Sequence, residues 1–146
     1  MKKRTPSLNN VCVDASLWVR WLTPEEGTEE MHKIFRLWME EFNFFIAPSI
    51  LLFEFLSALR KKFKRGHIPQ ATVSKGLKTF YELPLILYQN EALLSETFEW
   101  AERLGQTVLY DASYLALAAS HRVPFFTGDE RFYEVARKHY PDVQLV

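Results

Sequence analysis

The chain has one cysteine, no net charge and no long uninterrupted apolar run. Each shortage removes a class of protein. A single thiol, Cys12, allows no intramolecular disulfide, so the core and not a cross-linked framework must hold the fold. Cys12 lies in an apolar run and reads as a buried, reduced thiol, which fits a cytoplasmic protein. Lys plus Arg number 18 and Asp plus Glu number 18, so no global field draws the chain to nucleic acid or to an acidic membrane. Any such partner must be met by a local patch. Charges interrupt every apolar stretch before it reaches bilayer length. The first ten residues, Met1 to Asn10, lack the apolar core of a secretory signal. No glycine-rich fingerprint follows the first predicted strand, which argues against a dinucleotide site. The histidines, His32, His67, His121 and His139, are scattered, and none has zinc-ligand spacing. They read as surface or helix-end residues.

What is present is a well-filled α/β domain. The 146 residues are 48% hydrophobic and 15% aromatic, enough for one compact core. Residues 1–10 read as a polar tail and 11–146 as a single domain. Val11 to Val13 reads as a short buried strand and Ala15 to Leu22 as a helix. A second helix over Glu29 to Phe42 repeats Met31, Ile34, Phe35, Trp38 and Phe42 on one face. Phe44 to Ala47 is a strand, and Ser49 is placed to cap a helix over Ile50 to Arg65, with Gly66 as its stop. Pro69 opens a helix to about Leu83, and Leu85 to Tyr88 is a strand. Asn90 caps a helix that ends at Gly105, and Asp111 begins another through His121. Pro124 to Thr127, a helix from Glu130 and a terminal strand over Val143 to Val146 complete the chain. Strands alternating with helices predict a three-layer α/β/α sandwich around a mostly parallel sheet.

Four acids occupy telling places. Asp14 and Asp129 each directly follow a predicted strand, where open α/β sheets bind ligands. Each also precedes a helix, so N-capping is the plainer reading of either alone. Asp111 sits at a helix start, where capping again leads and the dipole favours a negative charge. Glu54 lies in Ile50-Leu51-Leu52-Phe53-Glu54-Phe55-Leu56, apolar almost all round and expected to be buried. An ionised carboxylate there needs a partner or a metal; an arginine from elsewhere in the core is the alternative. Ser57 and Ala58 leave room beside it one turn on. Four converging carboxylates repel one another unless a cation neutralises them, and all-oxygen donors select Mg²⁺ or Mn²⁺.

These residues resemble the motifs of the PIN-domain superfamily, and within it the VapC-type toxins of toxin–antitoxin pairs. Val13-Asp14-Ala15-Ser16 resembles the first acidic motif and Phe53-Glu54-Phe55-Leu56-Ser57-Ala58-Leu59 the second. Tyr110-Asp111-Ala112-Ser113-Tyr114-Leu115-Ala116-Leu117-Ala118 is similar to the third, and Phe126-Thr127-Gly128-Asp129 to the fourth. The resemblance runs from Val11 onward. It implies an acidic pocket that binds Mg²⁺ or Mn²⁺ and hydrolyses RNA, a homodimer, and a cognate antitoxin that often places an arginine in the pocket. Relatives often carry alanine where Gly128 stands, a change expected to be harmless.

On this reading Asp14, Asp111 and Asp129 hold one or two metal ions, Glu54 completes the site directly or through a water, and a metal-bound water attacks phosphorus. The hydroxyls of Thr127 and Ser16 orient a water or a carboxylate, or make routine backbone bonds. Arg60, Lys61, Lys62, Lys64 and Arg65 form a basic run at a helix C-terminus, stabilising there in any case and also able to meet phosphate. Arg131 is a second candidate by position. Trp18, Trp21, Phe42 and Tyr114 are read as core or dimer interface ahead of base stacking. Competing readings are a PIN ribonuclease of RNA processing or decay, and a non-catalytic PIN module that binds RNA or protein. An aspartyl-nucleophile phosphatase ranks lower, because Ser16 stands where its second aspartate belongs.

Overall fold

A computed structural model describes residues 8–24 and 27–146 of the chain. Residues 1–7 of the expected polar tail lie outside the described residues. The first half comprises β1 (Asn10–Val13), α1 (Ala15–Leu22), α2 (Thr28–Glu41), β2 (Phe44–Pro48), α3 (Ile50–Lys64) and α4 (Gln70–Tyr81). β3 (Leu85–Tyr88), α5 (Glu91–Leu104), α6 (Tyr110–His121), β4 (Phe125–Thr127), α7 (Glu130–Ala136) and β5 (Val143–Leu145) follow.

The five strands form one sheet in the order β3-β2-β1-β4-β5, and every neighbouring pair is parallel. The expected sandwich is therefore found, with a sheet parallel throughout. Val11, Cys12 and Val13 on the central strand are each 0% exposed. Successive strand residues point to opposite faces, so their joint burial requires helices on both sides. From β1 the chain builds outward through β2 and β3 on one side, then returns to place β4 and β5 on the other. The junction of β1 and β4 is thus the topological switch point, where α/β sheets open a crevice at their carboxyl ends.

Trp18 anchors that junction. It is fully buried, and its ring meets Phe35, Phe45 and Phe80 edge-on at 4.9, 5.0 and 5.2 Å. Its indole N–H donates to the Val13 carbonyl at 3.1 Å, which satisfies the one polar atom of a core ring and pins α1 to the end of β1. Trp18 and Tyr114 are core residues, and the half-buried Trp21 stacks on Phe35 at 4.4 Å, in line with the non-stacking reading of these aromatics toward bases.

Boundaries agree within a residue or two, as helix ends allow. Asn90 accepts from Leu93 N at 2.8 Å, and Gly105 closes α5 at φ 64°, a left-handed position that suits glycine. Two local expectations fail. Ser49 caps nothing: its backbone is already helical, at φ −60° and ψ −19°, and its hydroxyl donates to Gln89 Oε1 at 2.6 Å. Nor is α3 buried all round. Leu51, Phe55 and Leu59, four residues apart, face the core, while Phe53 is 72% exposed and Leu56 is 39% exposed. The apolar stretch is one buried stripe plus an exposed apolar flank.

Candidate active site

Asp14 ends β1 and opens α1. Its Oδ1 accepts from the amides of Ser16 at 3.0 Å and Leu17 at 3.4 Å, so it is a true N-cap. The Ser16 hydroxyl donates to the same oxygen, and the Thr127 hydroxyl donates to Oδ2. Thr127 is fully buried at the end of β4, the strand beside β1. Its oxygen in turn accepts from Asp129 N at 3.0 Å. One threonine therefore links the two post-strand aspartates across the switch point. Asp129 is exposed and caps α7, accepting from Phe132 N at 3.0 Å.

Glu54 reaches the same region from α3. In place of an arginine, the Tyr114 hydroxyl donates to Glu54 Oε1 at 2.7 Å. Tyr114 is 1% exposed on α6, and burial together with the charge of Glu54 pushes its phenol well up, so it stays a donor. Asp111 corrects the sequence reading. The residue at the cap of α6 is Leu109, and no side chain caps the helix. Asp111 is exposed one residue inside α6, and its side chain makes no hydrogen bond or salt bridge among the described residues.

The carboxylates feel one another. Burial raises Glu54, the Tyr114 bond draws it back in part, and Asp111 and Asp14 add smaller upward pushes. Burial raises Asp111 too, helped by Asp129 and Asp14. Asp14 is raised by burial although two hydroxyls and two amides pull it down. No lysine or arginine is among the causes of these shifts. Asp14, Glu54 and Asp111 thus share one negative field, to which Asp129 adds at Asp111.

A sequence profile described as PIN domain matches residues 11–138. The chain belongs to the PIN domain family. No curated protein matches the chain in sequence. Among solved structures the fold is similar to PAE2754 from Pyrobaculum aerophilum, with TM-score 0.66 and 21% identity over 90% of this chain and 87% of that one. VapBC2 from Rickettsia felis, bound to a DNA fragment from its promoter, aligns with TM-score 0.65 and 15% identity over 94% and 97%. VapC20 from Mycobacterium tuberculosis, described as a sarcin–ricin loop cleaving toxin, gives 0.62 and 16% over 84% and 92%.

In this PIN domain the donor chemistry at the switch point suits a hard divalent cation, because every candidate donor is a carboxylate oxygen. As the side chains stand, no set of three or more His, Cys, Asp or Glu among the described residues is arranged to hold a metal ion. Two of the aspartates are turned toward their own helix amides.

Two features escape the sequence reading. A Cβ on Gly128 would stand 3.0 Å from Ser16 Oγ, 3.1 Å from Arg20 Nη2 and 3.1 Å from Leu17 Cδ2. Alanine there would press on the serine that holds Asp14 and on a buried leucine, so its cost is set by whether these side chains can give by a few tenths of an ångström. Arg20 has, in sequence, the look of an ordinary helix-end cation. It lies half-buried against the turn between Thr127 and Asp129. Arg131 is exposed on α7, and the four histidines are exposed, as expected.

Proposed function

We propose that the protein is a divalent-metal-dependent endoribonuclease and the toxin of a VapBC-type toxin–antitoxin pair. The observation that carries the nuclease reading is Asp111. Asp14 and Asp129 have a structural explanation as helix caps, and Glu54 has its tyrosine; Asp111 has no local partner and adds repulsion to the cluster. A carboxylate with no partner of its own, set among other acids, is explained by a ligand it meets in use.

Asp14, Glu54, Asp111 and Asp129 would hold the Mg²⁺ or Mn²⁺. The bound ion supplies an acidified water as nucleophile and neutralises charge on the leaving oxygen. The chain's own part is positioning. Ser16 and Thr127 fix the orientation of Asp14, and by donating to it they favour its ionised form. Tyr114 does the same for Glu54. The VapBC2 and VapC20 likenesses support the toxin assignment and an antitoxin partner. Leu94 and Phe98, 65% and 62% exposed on α5, support a homodimer. Among the described residues no helix is long and apolar enough to cross a membrane.

The test is incubation of the protein with total RNA in Mg²⁺ or in EDTA, beside Asp111→Asn. Cleavage is expected only for the wild type in Mg²⁺. Cleavage that survives both EDTA and the substitution would overturn the proposal.

A further inference from the structure

We infer that the exposed face of α3 from Phe53 to Lys64 is the track for a single-stranded flank of the RNA, an inference that rests on the ribonuclease reading. Two grooves lie along this helix. One, of about 480 Å³, is lined by Phe53, Glu54, Ser57, Lys61 and Tyr110 among others. The second, of about 360 Å³, is lined by Ser57, Arg60, Lys61, Lys64 and Arg65. Ser57 and Lys61 belong to both, so the surface is continuous from a carboxylate of the candidate site to the end of the helix.

The composition changes along it as a nucleic-acid track requires. Phe53 and Tyr110 are 72% and 55% exposed beside Glu54, offering ring faces to unstacked bases. Beyond Glu54, α3 carries no further acid. Arg60, Lys61, Lys64 and Arg65 make no salt bridge among the described residues, so their charge is uncompensated. Phe53, Ser57, Lys61 and Lys64 follow at intervals of four, four and three, which is one stripe of a helix. At 1.5 Å per residue, Glu54 to Lys64 spans roughly 15 Å, room for a few nucleotides. Attraction of the lysines to the helix dipole accounts for the cations but not for the exposed aromatics at the other end. A protein interface accounts for the aromatics but is depleted in lysine. Single-stranded RNA accounts for both.

The test measures binding apart from cleavage. A fluorescein-labelled 16-nucleotide single-stranded RNA of mixed sequence is titrated by anisotropy in EDTA, across a salt series, with its duplex for comparison. Lys61→Ala/Lys64→Ala is expected to weaken binding at least tenfold and to reduce the salt slope by about 1.4, at about 0.7 for each single-strand phosphate that is no longer neutralised. Phe53→Ala is expected to weaken binding on the order of tenfold with the slope unchanged. Lys75→Ala/Lys78→Ala on α4 removes equal charge elsewhere and is expected to bind as wild type does. The inference fails if the α3 variants bind like wild type or if both lysine pairs lose equally. It also fails if Phe53→Ala alters the oligomeric mass in light scattering while RNA affinity holds, which marks an interface between copies. Wild type that binds through this face yet never cleaves in Mg²⁺ would sink the nuclease reading and leave the track standing. Cleavage and binding intact in the α3 variants would do the reverse.

Discussion

Substituting asparagine for each aspartate of the cluster in turn should give three different stabilities, although the charge removed is the same. Asp111 has no hydrogen bond to lose, and the upward push on its carboxyl means that its charge disfavours the native state. Burial of the carboxyl and repulsion from Asp129 and Asp14 act against its attraction to the α6 dipole. Each repulsion, screened by solvent at an exposed site, is worth about 1 kcal/mol or less. Asp111→Asn should thus stabilise the metal-free protein and raise its Tm by roughly 1–4 °C, at ~2–4 °C per kcal/mol for a chain of this size. Asp14 accepts from two amides and two hydroxyls. An amide group facing donors at one of those positions loses a charge-assisted bond, so Asp14→Asn should destabilise by about 1–2 kcal/mol net of the relieved repulsion. Asp129→Asn should lie near neutrality, since asparagine caps a helix about as well as aspartate does. Differential scanning calorimetry at pH 7 in EDTA reads all three. Equal shifts, or an Asp111→Asn protein less stable than wild type, would refute the reasoning. Ribonuclease activity should run the other way, with the stabilised Asp111 variant losing it, because several kcal/mol of transition-state stabilisation by a metal outweighs the small gain in the fold.

The same shifts set a pH dependence. Asp14, Glu54 and Asp111 hold protons more tightly folded than unfolded, so the native state binds more protons and stability falls as pH rises. That contribution is whole below their ordinary values of 3.8, 4.5 and 3.8 and is lost as pH climbs through the raised ones. The Tm gap between wild type and Asp111→Asn should accordingly close below about pH 4 and open toward neutrality; a gap constant in pH contradicts the assigned shift. Gly128→Ala should lower stability by about 1–3 kcal/mol in urea melts and depress activity through Ser16, whereas an unchanged midpoint would show that the turn yields freely. Tyr114→Phe removes the donor that holds Glu54 toward its ionised form, so the acid limb of the pH–rate profile should move to higher pH while the fold is retained; an unmoved limb would mean Glu54 does not titrate in the reaction.

Much of this is legible in the residues because it is local. Apolar triplets such as Val11 to Val13 followed by an acid mark the strands and their carboxyl ends, and Asn90 and Gly105 mark the limits of α5. Parallel order follows from the alternation of strands with helices. Most of the failures are tertiary. Ser49 has the identity of a cap, but Gln89 from the neighbouring strand end competes for its hydroxyl. The exposed flank of α3 is invisible in sequence because Phe53 and Phe55 are the same residue type on opposite sides of the helix. Asp111 lies so close to a helix start that one residue of phase separates a cap from an unpartnered charge. Gly128 cannot be judged without knowing that Ser16, Arg20 and Leu17 stand where a β-carbon would go. Glu54 reads correctly as a carboxylate in need of company, yet the company is a phenol sixty positions away.

The arrangement explains why a cluster of like charges persists in so small a fold. Asp14 and Asp129 are offset locally, each closing the first turn of a helix that the sheet needs. Thr127 couples them, so the backbone that ends β4 cannot shift without disturbing the side chain that ends β1. The switch point thereby gains two fixed carboxylates at little loss of stability. Glu54 and Asp111 are brought to that fixed pair by α3 and α6, helices anchored through Phe55 and Tyr114 in the core. Rigid core packing holds the cluster together against its own repulsion, and on the proposed reading a divalent cation would relieve that repulsion. The tighter the core holds Glu54 and Asp111 in place, the less the acids can relax apart, and the larger the share of that repulsion a bound cation would relieve.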